Sequence, residues 1–174
     1  GPEAEANFAS YPLRRLEAEV LIDAVNKITG TSDLYTSAIP EPYTYIPHDM
    51  TAIALADGSI TSSFLTLFGR SARATGMASE RINKPVPAQW LHMLNSSHIR
   101  QKIEQGPKLK ALFASGRKAG EIVEELYMTI LSRRPTRKEL KTVAEYVQST
   151  PSKRTAAIDI TWALINNTEF LYRH

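Results

Sequence analysis

Residues 121–147, EIVEELYMTILSRRPTRKELKTVAEYV, decide the fold class of this chain. Apolar side chains recur every three or four residues on both sides of Pro135, which is the spacing of amphipathic helices. The first run ends before Pro135, and Thr136 with Glu139 has the spacing of a capping box that opens a second helix. This stretch therefore predicts two consecutive helices that meet at a short corner.

The same periodicity predicts further helices on both sides of this pair. They are expected at residues 12–28, 88–94, 98–105, 107–113 and 156–165, with shorter apolar elements at 62–68 and in a terminal turn capped by Thr168. Trp90 and Trp162 fall on apolar faces of two of these helices, and we expect both in the core. No alternating strand pattern competes, so the predicted fold is all-α with six or seven mostly short helices.

A long irregular connection follows the first predicted helix. Residues 31–60 contain three prolines and three tyrosines, and prolines interrupt helices. So long a connection argues against a simple four-helix bundle and is typical of a packed functional loop or of a segment that leans on something else. His48 and Asp49 lie within it. A metal or acid/base role would need further ligands from distant positions, so we interpret these two residues as ordinary loop polarity.

The composition is that of a globular domain. Of the 174 residues 43% are hydrophobic, and a chain of this length buries a core without help from disulfides or metals. It contains no cysteine, which excludes a cysteine-ligated metal, a covalently attached haem and a thiol nucleophile within this segment. The longest apolar runs are about five residues, whereas a membrane helix needs roughly 20, so we expect no membrane span.

The first two residues, Gly1 and Pro2, look like the scar of a removed tag. We therefore interpret residues 1–10 as a tag scar with a flexible lead-in and residues 11–174 as one helical domain. On this interpretation a signal peptide could have preceded the segment.

The net charge of +3 is unevenly distributed, because the basic excess lies after residue 100. Its densest patch is Arg133, Arg134, Arg137 and Lys138 at the corner between the two helices quoted first. Nearby aromatic residues fall on apolar helix faces and not among the basic ones, so the patch is interpreted as a solvated corner. Nucleic acid is accordingly not an expected partner.

No motif for nucleotide binding, nucleophilic catalysis or zinc binding occurs in the sequence. The four histidines, His48, His92, His98 and His174, are too dispersed for one helical metal motif. His92 and His98 stand six apart, near opposite sides of a helix, and we interpret them as partly buried polar residues rather than ligands. We therefore predict no catalytic residue and no metal site.

Several charged residues are concentrated between residues 68 and 83, and two hypotheses account for their role. Arg70, Arg73, Glu80 and Arg81 are suited to binding an anion, or to anchoring this loop through carboxylates and helix-end carbonyls. By residue type, the nearest anchoring partners are Glu80 itself and two carboxylates of the first helix, Glu17 and Glu19. Arg15 and Glu19 of that helix are four apart, on a face that we expect to be solvated.

The same segment carries a family resemblance. Residues 68–83, FGRSARATGMASERIN, are followed by LHMLNSSH at 91–98 and by the ending WALINNTEFLYRH at 162–174. Together these strings resemble the family of domains of unknown function 1553, the planctomycete PSD domain, from about Tyr11 to the last residue. The resemblance supplies no catalytic residue. Met77 stands near the place where many members have a cysteine, which weakens a thiol or haem-ligand role for this loop.

The resemblance implies that the chain is the C-terminal portion of a larger secreted or periplasmic protein that often begins with a cytochrome-c-like haem domain. It implies no cofactor in this segment, and it assigns any haem to an upstream domain. The expected partners are upstream domains of the same chain or another envelope protein. The expected function is a helical interaction or structural module. The alternative is a part of an envelope redox or polysaccharide-processing enzyme with an arginine-rich anion-binding loop.

Overall fold

The structure is a computed structural model, and it describes residues 14–37, 39, 42–55, 60, 62–70, 81 and 84–173. Its elements in chain order are β1 (Arg14–Arg15), α1 (Ala18–Thr29), a 3-10 turn (Ala52–Ala54), α2 (Ser63–Leu67), α3 (Pro87–Asn95), α4 (Ser97–Gln105), α5 (Pro107–Phe113), α6 (Ala119–Leu131), α7 (Arg137–Ser149), α8 (Lys153–Ile165), α9 (Thr168–Leu171) and β2 (Tyr172–Arg173). The all-α prediction is confirmed. None of the helices in these ranges combines the length and hydrophobicity that a bilayer span requires.

The core forms around α1, whose inward face is fully buried. Leu21, Ile22 and Val25 expose at most 1% of their surface, and their three- and four-residue spacing places them on one side of the helix. This side packs against α2, α4, α5 and the 3-10 turn, while α8 packs against α4, α6 and α7. Helix α4 therefore lies between α1 and α8 and joins the two halves of the core.

Close approach of α1 to the junction of α4 and α5 requires a glycine. A Cβ atom on Gly106 would lie 2.5 Å from the carbonyl oxygens of both Thr29 and Lys102. Since real Cβ atoms do not approach backbone oxygens so closely, the end of α1 can rest on this junction only if residue 106 has no side chain.

The two ends of the described chain meet in a short antiparallel pairing, and this corrects the predicted start of the first helix. Arg14 pairs with Arg173 and Arg15 with Tyr172, so these residues are extended and α1 begins only at Ala18. The amphipathic spacing continues through residues 13–16, but pairing with β2 overrides it. Pro12, the predicted first helical residue, lies outside the described residues.

The corner between α6 and α7 is as the sequence predicts. The backbone N–H of Glu139 donates to Thr136 Oγ1 at 3.3 Å, and the backbone N–H of Thr136 donates to Glu139 Oε2 at 2.7 Å. These reciprocal bonds are the predicted capping box. The last turn differs in one detail. Asn167, and not Thr168, caps α9, because its side-chain oxygen accepts from the backbone N–H of Glu169 at 2.9 Å.

The prediction that both tryptophans lie in the core is wrong for Trp90 and holds only in part for Trp162, which packs against the core. Trp90 is 38% exposed and Trp162 is half-buried, so neither is a fully buried core residue. On α3 the buried positions are Gln89 and Met93, which are one turn apart. Trp90 lies beside this stripe, and its ring lies 6.1 Å from that of Tyr172.

The connection after α1 is irregular in its described parts except for the 3-10 turn. Asp23 of α1 holds that turn: its two carboxylate oxygens accept from the backbone N–H groups of Ala52 at 2.7 Å and Ile53 at 2.9 Å. Tyr35 is buried against the core, whereas Tyr43 and Tyr45 are largely exposed. The connection is therefore packed at its ends and exposed between them.

Candidate functional site

Glu19 is a buried carboxylate on α1 that gathers the described arginines of the segment singled out by the sequence. Arg81 donates to it from both terminal nitrogens at 2.8 Å, and Arg70 Nε lies 3.3 Å from Oε1. Burial acts to raise the pKa of the Glu19 carboxyl, but the hydrogen bonds and positive charge of the arginines outweigh burial and hold this pKa below its usual value. Two guanidinium groups therefore keep a buried carboxylate ionised.

Arg70 is also bonded to the backbone of the preceding connection. Its two terminal nitrogens donate to the carbonyl oxygens of Ile60 and, at 3.0 Å, of Leu55, and its side chain is only 7% exposed. One side chain thus links α1, the end of the connection and the segment that follows α2. This arrangement is that of an anchor within the protein.

The remaining candidates of the segment are less enclosed or lie elsewhere. Arg81 keeps 23% of its side chain exposed and also lies 3.6 Å from Glu17. Arg73 and Glu80 lie outside the described residues. The structure therefore brings Arg70 and Arg81 together on Glu19, and the prediction for Arg73 and Glu80 stays a prediction.

Arg15 does not lie on a solvated helix face, which corrects that expectation. It is half-buried, donates to the carbonyl oxygen of Phe68 at 2.9 Å, and its guanidinium carbon lies 4.9 Å from the centre of the Phe68 ring. Its Nε and one terminal nitrogen are buried without a hydrogen-bond partner in the described part of the chain. Burial lowers the pKa of Arg15. Because β1 is extended, Arg15 does not lie one helical turn before Glu19 and does not pair with it. Glu19 pairs with Arg70 and Arg81 instead.

A second buried charge cluster, which no local sequence pattern predicts, lies at the other end of α1. Asp33 Oδ1 lies 2.9 Å from Lys102 Nζ and 3.0 Å from His98 Nε2, while Asp33 Oδ2 accepts from Asn26 at 2.9 Å. Lys102 is buried, with 7% of its side chain exposed. Burial acts to raise the pKa of the Asp33 carboxyl, but the bonds from His98, Asn26 and Lys102 hold it well below its usual range.

His92 and His98 lie close together despite their spacing. Their ring centroids are 6.3 Å apart, and both rings stand edge-on to Phe64. His92 Nε2 is buried without a hydrogen-bond partner among the described residues, and burial together with the neighbouring His98 lowers the pKa of His92. Within the described ranges no group of three or more metal-ligating side chains forms a site, and His48 and Asp49 are exposed.

The basic corner is partly neutralised by the protein itself, which refines its interpretation as a solvated corner. Arg133 donates to both oxygens of Glu139 at 3.0 and 2.8 Å and to both oxygens of Glu169 at 2.7 and 2.9 Å. These bonds tie the start of α7 to α9, raise the pKa of Arg133 and lower the pKa of Glu139 to about 2. Arg134 lies 2.9 Å from Glu124 in an exposed pair.

An exposed apolar surface extends along α3 to Trp162 of α8, which lines one cavity together with Leu94, and we call it the tryptophan surface. It comprises Trp90, Leu91, Leu94 and Trp162, of which the first three are 38%, 60% and 45% exposed. Leu94 and Trp162 line one cavity of about 420 Å³, and Trp162 with Tyr146 of α7 lines a second of about 520 Å³. Large apolar side chains that stay in water at neighbouring positions mark a surface suited to association.

Comparison with known proteins gives a family and no further likeness. No curated protein and no solved structure matches the chain. The family model described as "Protein of unknown function (DUF1553)", PSD1, matches residues 2–147, a span that ends within α7 and covers most of the chain. This protein therefore belongs to the PSD1 family of proteins of unknown function, DUF1553.

Proposed function

We propose that this chain is a helical interaction module that docks onto the preceding domains of a larger secreted or periplasmic protein. The tryptophan surface is the observation that carries this proposal. It contains two tryptophans and two leucines from α3 and α8, and aromatic residues surrounded by apolar neighbours supply most of the binding energy in protein interfaces.

The path of the chain favours a preceding domain as the occupant of this surface. β1 begins at Arg14, and Arg15 pairs with Tyr172, whose ring lies 6.1 Å from that of Trp90. Any domain N-terminal to β1 is thus tethered close to the tryptophan surface. Tethering makes docking intramolecular and raises the effective concentration of the two surfaces, so even a modest interface is occupied.

The enzyme alternative draws less support from the geometry. It requires the arginines of the segment to bind an anionic sugar or cofactor, yet Arg70 and Arg81 both bond to Glu19. Together with Glu17, which lies 3.6 Å from Arg81, Glu19 supplies two negative charges for these two arginines. In the interaction proposal a haem, where the larger protein carries one, belongs to a preceding domain.

The proposal is tested by expressing the segment encoded directly before this chain and titrating it into the purified chain by calorimetry. Leu94→Asp places a charge on the tryptophan surface, where Leu94 is 45% exposed and lines the cavity of about 420 Å³, and it should weaken binding at least about tenfold. Leu140→Asp is the matched control, because Leu140 is a 40% exposed leucine on α7 that lines neither cavity of this surface. Absence of wild-type binding, or equal loss in both variants, would contradict the proposal.

A further inference from the structure

A cavity of about 340 Å³ lies between the beginnings of α6 and α8, and none of the four residues of the tryptophan surface lines it. Its floor is apolar and includes the buried residues Val123, Leu126 and Ile160. A volume of this size falls within the range of small-molecule sites, roughly 300–1,000 Å³. The cavity therefore offers an apolar compartment that opens between two helix ends.

Four basic residues surround this apolar floor. Arg117 and Lys118 precede α6, while Lys153 and Arg154 are the first two residues of α8. Of the described residues that line the cavity, none is acidic. The lining is thus apolar at its base, and all its charged side chains are positive.

Acidic residues that do not line the cavity neutralise only part of its positive charge. Arg117 lies 3.7 Å from Glu125, and Arg154 donates to a backbone carbonyl, that of Glu104, at 3.2 Å. Lys118 and Lys153 have no ion-pair partner in the described part of the chain. This contrasts with the corner at Arg133, where two glutamates match one arginine.

Both lysines stand at helix starts, where the helix dipole disfavours a positive charge. Lys118 is the N-cap of α6 and Lys153 is the first residue of α8, and helix starts carry a partial positive charge that disfavours cations. Glu121 in the first turn of α6 offsets this at one helix, and its carboxylate accepts from the backbone N–H of Lys118 at 3.1 Å. Repulsion among the remaining cations is relieved when an anion binds between them.

We infer that this cavity binds a small amphipathic carboxylate, with its head between Lys118 and Lys153 and its tail against Val123, Leu126 and Ile160. The two parts of the site select for the two parts of such a molecule. Burial of the tail supplies affinity in proportion to apolar area, and charge-assisted hydrogen bonds from the lysines select the anionic head. This inference is independent of the docking function, since it uses none of the residues of the tryptophan surface.

Octanoate is a suitable probe, and calorimetric titration of the intact chain measures its binding. Octanoate should bind, 1-octanol should bind at least about tenfold more weakly because it lacks the charge, and octylammonium should not bind detectably. Binding of 1-octanol as tight as that of octanoate would overturn the inference, as would the absence of octanoate binding at millimolar concentration.

Two variants locate the site. The double variant Lys118→Gln/Lys153→Gln should weaken octanoate binding at least about tenfold, whereas Arg137→Gln/Lys138→Gln, which removes the same charge from exposed positions on α7, should leave it unchanged. Ala157→Leu fills the cavity from α8 and should weaken octanoate binding while circular dichroism shows a folded protein. Equal binding by the two double variants, whether both are weakened by the loss of net charge or neither is weakened, would show that Lys118 and Lys153 do not hold the carboxylate, and this result contradicts the inference.

Discussion

Glu19 of α1 accepts two hydrogen bonds of 2.8 Å from Arg81, across 62 residues of sequence. Because Arg70 lies on the same carboxylate at 3.3 Å, one buried acid holds both ends of the segment that begins at residue 70. A buried carboxylate remains ionised only while such partners are present, so the folded state depends on these arginines. These contacts anchor the arginine-rich segment to α1, so Arg70 and Arg81 have a structural role.

Arg70→Ala should therefore destabilise the protein strongly. The substitution removes a charge partner of Glu19 and leaves the carbonyl oxygens of Leu55 and Ile60 without their donor, and breaking a buried pair costs about 3–5 kcal/mol. Arg81→Ala should cost less, about 1–2 kcal/mol, because water partly solvates that side chain. Urea unfolding curves measure both values, with the exposed Arg137→Ala as control. Unchanged stability of Arg70→Ala, or a melting temperature that sulfate raises in the unmodified protein only, would instead indicate an anion site.

Stability should fall in acid partly because of Asp33. Its carboxyl has a pKa below the usual value in the folded state and about 4 in the unfolded state, so the unfolded state binds the proton first as pH falls. The stabilisation from Asp33 is fully present above about pH 5 and declines below about pH 4 by about 1.4 kcal/mol for each pH unit.

Asp33→Asn isolates this contribution from the other acids. The variant leaves the buried Lys102 without its carboxylate and should lose about 3–5 kcal/mol at pH 7. The difference in unfolding free energy between the two proteins should shrink steadily from pH 5 to pH 2. A difference that stays constant over that range would show that Asp33 does not carry the acid sensitivity.

The sequence was sufficient for the helices, but it indicated Glu19 only by residue type and did not indicate the cluster at Asp33, for a physical reason. Helix limits follow from local signals, such as the bonds between Thr136 and Glu139, which involve residues three apart. The pairs of Glu19 with Arg81 and of Asp33 with Lys102 span long stretches of chain, and no local rule determines such partners. One signal was present: Lys102 stands three residues after the buried Ile99, which places it on the buried face of α4.

The tryptophans show where periodicity is ambiguous. An apolar helical stripe through Trp90, Leu91 and Leu94 agrees with the residue spacing as well as the observed buried stripe does. The observed stripe runs through Gln89 and Met93. Burial of Gln89 depends on a tertiary bond, because its side-chain amide donates to the carbonyl oxygen of Leu67 at 3.0 Å. A polar residue that finds such a partner can turn a helix so that larger apolar residues face water.

Met93→Ala and Trp90→Ala on the same helix test this assignment. Met93 is 1% exposed, so its truncation should cost about 2–5 kcal/mol, while truncation of the 38% exposed Trp90 should cost clearly less than the roughly 3–5 kcal/mol typical of buried tryptophans. Chemical denaturation of both variants gives the comparison. If Trp90→Ala proved the more destabilising change, α3 would be rotated from its described position.

Two glycines provide a test of the packing between α1 and the junction of α4 and α5. Gly106 has φ −58°, which any residue adopts, so a substitution there acts only through contact with neighbouring atoms. In Gly106→Ala the new Cβ would lie 2.5 Å from two carbonyl oxygens, and relief of that overlap requires α1 to move away, at a cost of about 1–3 kcal/mol or more. Gly120 lies in the first turn of α6, and among the described residues beyond its own helix backbone and chain neighbours no atom lies within 4 Å of a Cβ built there, so Gly120→Ala should stabilise the protein by about 0.5–1 kcal/mol. Thermal melts of the two variants should therefore shift in opposite directions, and a shift of the same sign in both would refute the close contact at Gly106.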